Sequence, residues 1–95
     1  MLIDDAIREA RRLLASLRSM RAAQEVVDEA ELALSALEHG NPSHHTLGFV
    51  ADALERIDAN LTHGALAGFV RVRIRSLAGI VTAIQDDAPT PPPAA

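Results

Sequence analysis

Three histidines and a glutamate surround the first clear helix terminator of the sequence. Glu38 and His39 precede the segment 40–42 (Gly-Asn-Pro), and His44 and His45 follow it closely. Imidazole and carboxylate groups are ligands for zinc and nickel, and a short loop brings two helix ends together. The spacing matches no closed metal site, and no two histidines stand four residues apart on a helix. We therefore predict no metal site, and His39, His44 and His45 are the candidate ligands of an alternative function.

No other set of residues predicts catalysis or a bound cofactor. Cysteine is absent, which excludes disulfides, thiol catalysis and cysteine-based zinc sites. Asp52 and Glu55 stand one helical turn apart, but two carboxylates act as acid and base only where burial separates their pKa values. Their neighbours are polar, so we expect them to be exposed. The segment 64–68 has two glycines but lacks the lysine of a phosphate-binding loop. We expect a non-enzymatic protein without a cofactor.

Composition and charge narrow the possible partners. The chain has 95 residues, enough for one small domain, and its 13 acidic and 9 basic residues give a net charge of −4. An acidic chain with only two aromatic residues, Phe49 and Phe69, is a poor nucleic-acid binder. The most apolar window has three arginines at its centre, which excludes a membrane span. The N-terminus does not resemble a signal peptide. We expect a cytoplasmic protein.

The first half of the chain has the pattern of a long amphipathic helix. Neither Gly nor Pro occurs between Asp4 and His39, and apolar residues recur at steps of three and four. This pattern predicts one helix of roughly 35 residues. The alternative is two helices with a break between residues 16 and 21, where Ser16 and Ser19 compete for backbone hydrogen bonds.

Two further helices and a tail follow. Ser43 is a plausible N-cap for a helix that ends before Gly64. From Ala65 to Ile84 two patterns compete, because residues 69–75 alternate apolar and arginine as in a strand. The three-and-four stripe is much longer than this alternation, which favours a helix. Residues 88–95 are proline-rich and predict a disordered tail.

These elements predict an all-α fold, a small up-and-down helical bundle in residues 1–87. The second helix would cover only about half of a first helix of roughly 50 Å. The third helix or a second copy of the chain would cover the remainder, and we expect homodimerisation. If the first helix breaks near Ser19, the chain would instead close a monomeric four-helix bundle. The residues expected to pack the bundle and the dimer are Leu13, Leu17, Met20, Val27, Leu34, Leu47, Val50, Leu54, Ile57, Gly64, Gly68, Val70, Ile74, Leu77 and Val81.

Charge and glycine spacing add two local predictions. Residues 22–40 contain five acidic residues and no arginine, so we expect Glu29 and Glu31 to lie near Arg71 and Arg75. Glycines 64 and 68 stand four apart, a spacing that allows two helices to approach closely.

Taken together, these features predict a helical protein–protein interaction module that self-associates and binds another protein as adaptor, assembly factor or inhibitor. The alternative function is a metal- or small-ligand-binding bundle that uses the loop from His39 to His45.

Overall fold

The computed structural model describes residues 2–39, 43–61 and 65–87, without the side chains of residues 44, 65–67 and 87. The described residues form four helices and contain no strand, so the predicted all-α class is confirmed. Four residues separate each helix from the next, a length typical of antiparallel neighbours. The helices are α1 (Leu2–Ser19), α2 (Gln24–His39), α3 (His44–Asn60) and α4 (Ala65–Asp87).

The prediction of a single long first helix is wrong. α1 ends at Ser19 and α2 begins at Gln24, close to the alternative break. Arg21 has φ 54°, in the left-handed region, and its N–H donates to the carbonyl of Arg18 at 3.1 Å. The N–H of Ala22 donates to the carbonyl of Leu17 at 3.0 Å. These two bonds form a Schellman motif, which ends a helix at a left-handed residue that is usually glycine.

The other two helices have the predicted starts and stripes. The Ser43 side chain accepts a hydrogen bond from the Thr46 N–H at 3.2 Å and so caps α3. α4 is continuous through residues 69–75, which confirms the helical interpretation over the strand. The longer three-and-four stripe was therefore the better predictor for this segment. A helix also satisfies its own backbone hydrogen bonds, whereas a strand would need a partner strand. The predicted terminator at 40–42, Gly64 and the tail at 88–95 lie outside the described residues.

The helices form a closed ring. α1 contacts α2 and α4, and α3 contacts the same two helices. In the described residues, the diagonal pairs α1–α3 and α2–α4 make no contact. Two ion pairs show that α1 and α2 run antiparallel, because moving from Arg11 to Arg18 on α1 moves the partner back from Glu38 to Glu31 on α2.

The core lies along the axis of this ring and receives a stripe from every helix. On α1 the stripe is Ala6, Ala10, Leu13 and Leu17, and on α4 it continues from Val70 to Ile84. No polar or charged side chain among the described residues is buried. The four helices have similar lengths, so they cover one another within a single chain. The long unpaired helix that motivated the prediction of a homodimer is therefore absent, although self-association itself remains a prediction.

Candidate protein-binding face

The loop histidines do not gather into a site in the described residues. His39 and His45 are exposed, and the side chain of His44 lies outside the description. Across residues 2–39, 43–61 and 65–87, no group of three His, Asp or Glu side chains is placed to hold a metal ion. The described residues therefore give the alternative metal- or ligand-binding function no support.

Most of the residues expected to pack are in the core of the single chain. Two others, Met20 and Leu34, are half-buried, and Gly68 is exposed. A Cβ built on Gly68 would meet no atom within 4 Å, so no second helix of the chain crosses closely there. Gly64 lies outside the described residues. The buried members are Leu13, Leu17, Val27, Leu47, Val50, Leu54, Ile57, Val70, Ile74, Leu77 and Val81.

Two large apolar side chains stand on the surface of α4, one helical turn apart. Phe69 is 64% exposed and Val72 is 65% exposed, more than any other large apolar residue among those described. The remaining exposed ones, Leu2, Leu32 and Phe49, lie on the other three helices. Sequence reasoning did not single out Phe69 and Val72 as a surface. The signal was the alternation in 69–75, which gives α4 apolar residues beyond those its buried stripe needs.

Phe69 stands between two shallow grooves that run where α4 packs beside α1. Ala15, Ser16, Ser19, Met20 and Val70 line the first groove together with Phe69. Val72 and Arg73 line the second together with Phe69, and Glu9 and Ser76 complete it. We call this surface the α1–α4 face, and its members are Glu9, Ala15, Ser16, Ser19, Met20, Phe69, Val70, Val72, Arg73 and Ser76.

Arg73 lies across the aromatic ring in this face. Its guanidinium carbon is 5.6 Å from the centroid of the Phe69 ring, a cation–π distance. The Nε atom of Arg73 is buried and has no hydrogen-bond partner in the part of the chain that the structure describes. A buried donor without an acceptor is costly, because it has lost its water and gained nothing in exchange. Because this atom is closed to solvent, an acceptor from outside would reach it only after the Arg73 side chain shifts.

Arginines continue from the face onto the outer side of α1. Arg8, Arg11 and Arg12 line an open groove that shares Ala15 with the groove beside Phe69. Arg12 donates to Glu9 at 3.0 Å, and the Glu9 side chain is only 17% exposed. The carboxylate inside the face is thus already engaged by an arginine. Around the apolar ridge of Phe69 and Val72, the surface presents these guanidinium groups together with the exposed carboxylate of Asp4, which lines the same groove.

The two halves of the bundle differ in charge. The neighbouring helices α1 and α4 carry seven arginines and five acidic residues. The neighbouring helices α2 and α3 carry one arginine and eight acidic residues. Side-chain direction divides the arginines of α1 and α4. Arg11 and Arg18 pair with α2, and Arg71 and Arg75 lie against α3. The arginines on or beside the α1–α4 face are Arg73, Arg8 and Arg12.

The predicted pairing of the acidic segment with α4 is wrong. Glu29 accepts from Arg56 of α3 at 3.1 Å, and Glu31 accepts from Arg18 of α1 at 2.7 Å. Arg71 donates instead to Asp58 of α3 at 3.0 Å. In the described residues the backbones of α2 and α4, which are diagonal in the ring, do not come close to each other. The hydrogen bond to Glu29 raises the pKa of Arg56 above its usual value, and desolvation opposes this rise only in part.

Comparison of the chain with protein-family models, with curated proteins and with solved structures finds no significant match. Within the described residues, no helix combines the length and the apolar character that a membrane span requires.

Proposed function

We propose that this protein is a non-enzymatic helical interaction module that binds another protein through the α1–α4 face. The observation that supports this most strongly is the adjacent exposure of Phe69 and Val72 beside two grooves. Single exposed apolar side chains are common in folded proteins, whereas contiguous apolar patches mark sites of association. Adaptor, assembly factor and inhibitor are the roles that such a module serves.

The chemistry of the face suits a protein partner. Aromatic residues, Met and Arg are enriched in the centres of protein interfaces, and the face contains Phe69, Met20 and Arg73. A nucleic acid is a weaker candidate, because the chain carries a net charge of −4 and has only two aromatic residues on which bases could stack. We also propose a cytoplasmic location, since a chain without cysteine needs no oxidising compartment.

Self-association is the second part of this proposal. Light scattering at increasing protein concentration tests this directly. A mass that stays at that of one chain, 10.1 kDa, would exclude self-association. It would not affect the proposal that the chain binds another protein.

Residue-specific crosslinking tests the interaction module. The photoreactive amino acid benzoylphenylalanine replaces Phe69 in one version of the chain and Phe49 in another. Phe49 is the matched control, because it is also a partly exposed phenylalanine but lies on α3, which does not contact α1. We expect one stoichiometric adduct with a second protein from position 69 in cells of the native source, and none from position 49. Equal adducts from both positions, or none from either, would overturn the proposal.

A further inference from the structure

We propose that the partner of the α1–α4 face is an acidic amphipathic helix, which lies along the groove between α1 and α4. This inference rests on the proposed function and names the chemistry of its partner. Its apolar side chains would cover Phe69 and Val72, and its carboxylates would pair with Arg73, Arg12 and Arg8.

The shape of the face favours a helix as the occupant. Two antiparallel helices packed side by side leave a long groove between them. α1 and α4 are such a pair, since Met20 and Phe69 line one groove and Glu9 and Ser76 line the next. The Phe69 side chain divides this groove into one recess beside Met20 and another beside Ser76. A helix presents apolar residues three and four positions apart on one side, so two successive anchors would enter the two recesses.

The charge of the face favours acidic residues beside those anchors. Arg73 has a buried Nε without an acceptor, and the structure gives it no ion pair among the described residues. Among the described residues, Arg12 and Arg8 pair only with Glu9 and Asp5 of their own helix, through contacts of 3.0 and 3.5 Å. A guanidinium has five N–H donors, so each of these arginines retains donors for another carboxylate. A partner carboxylate over Arg73 would also keep the guanidinium against the Phe69 ring.

The same charges disfavour a second copy on this face. Two copies joined through it would bring Arg8, Arg12 and Arg73 of one chain toward the same residues of the other. Like charges held together in an interface are repulsive and lower specific association. The acidic helices α2 and α3 lie on the other side of the bundle and could meet the face of a neighbour only in an open, head-to-tail arrangement.

Two synthetic peptides of about 18 residues provide the probes, a length that lets an isolated helix form. Both carry leucine at steps of three and four, and their flanking positions are glutamate in one peptide and lysine in the other. Fluorescence anisotropy measures their binding to the full chain at low and at high salt. We expect the glutamate peptide to bind, the lysine peptide not to bind, and added salt to weaken the complex.

Variants of the full chain locate the binding. We expect Phe69→Ala and Arg73→Gln each to weaken the glutamate peptide about tenfold or more, as loss of a central aromatic or arginine does in protein interfaces. Phe49→Ala and Arg56→Gln are the matched controls on the acidic side, and they should leave the affinity unchanged. Arg73→Lys keeps the charge but loses the Nε donor and the planar group, so it should fall between the wild type and Arg73→Gln.

Several results would overturn this inference. In the peptide experiment they are equal binding of the two peptides, or no binding at about 1 mM peptide. In the variants, they are loss of binding in the controls Phe49→Ala and Arg56→Gln. A dimer or a DNA complex that Phe69→Ala abolishes would also overturn it. If position 69 crosslinks to a second protein while neither peptide binds, the interaction module stands and only the acidic helix is excluded. If neither experiment detects a partner, both proposals fall.

Discussion

Arg56 of α3 donates a hydrogen bond to Glu29 of α2 at 3.1 Å, and this contact defines which helices are neighbours. The sequence pattern suggested that Glu29 would meet Arg71 or Arg75 of α4 instead. In the ring, α2 is diagonal to α4, and α3 provides the partner for each of them. Which acidic residue pairs with which arginine therefore depends on the order of the helices around the core.

A pair of double-mutant cycles tests that order. We expect Glu29→Gln and Arg56→Gln to be coupled in the free energy of unfolding, and the coupling to weaken with salt because the pair is exposed. Glu29→Gln and Arg71→Gln should be additive within about 0.5 kcal/mol, since these residues share no contact. The raised pKa of Arg56 keeps it protonated, so its contribution is complete at neutral pH and is lost only as the pH rises through that raised pKa. Coupling between Glu29 and Arg71 would contradict the order of the helices in the ring.

The left-handed conformation of Arg21 predicts an unusual response to glycine. Non-glycine residues are strained at φ 54°, by about 1–2 kcal/mol. Arg21→Gly should therefore be more stable than Arg21→Ala, which serves as the control for loss of the side chain. A continuous helix through residue 21 gives the opposite order, because glycine in a helix interior costs about 1 kcal/mol relative to alanine. Thermal unfolding of the two variants decides between the two structures.

Two leucines in opposite environments should differ strongly in the free energy of unfolding that is lost when each is replaced by alanine. Leu77 of α4 is 0% exposed and Leu32 of α2 is 51% exposed. Leu77→Ala should lower the free energy of unfolding by about 2–5 kcal/mol, because it removes buried methyl groups and leaves a cavity. Leu32→Ala should change it by less than about 0.5 kcal/mol. Chemical denaturation measures both, and similar costs for the two variants would show that the core is wrongly placed.

Gly79 lies within α4, on its exposed side, and a Cβ added there would meet no atom within 4 Å. Gly79→Ala should therefore raise the free energy of unfolding by about 0.5–1 kcal/mol, through the lower entropy of the unfolded chain. A fall in stability would mean that another helix approaches Gly79 closely. Measuring the variant over a range of protein concentrations shows whether such a helix belongs to a second copy.

The sequence predicted the class of the fold and most of its core, since the predicted apolar stripes of α3 and of α4 from Val70 onward are buried. It missed the end of α1 for a definite reason. The left-handed position of the Schellman motif holds Arg21 rather than glycine, and the apolar stripe continues through the turn as Met20 and Ala23. Because the three-and-four spacing of apolar residues runs unbroken through this turn, the spacing could not reveal the turn.

The candidate face was harder to predict than the core. Periodicity identifies the residues that a helix buries, but Phe69 and Val72 are apolar residues outside the buried stripe of α4. Their environment depends on α1 lying beside them, which follows from the ring and not from either helix alone. The loop histidines attracted attention by residue type, yet the described histidines are exposed and separate.

The central claim is that a protein partner binds the α1–α4 face at Phe69. The most direct measurement is the affinity of the protein captured at position 69 for three versions of the chain, namely the wild type, Phe69→Ala and Phe49→Ala. We predict a loss of about tenfold or more for Phe69→Ala and wild-type affinity for Phe49→Ala, with all three chains equally folded by circular dichroism. Equal affinities for all three, or a loss confined to Phe49→Ala, would contradict the account.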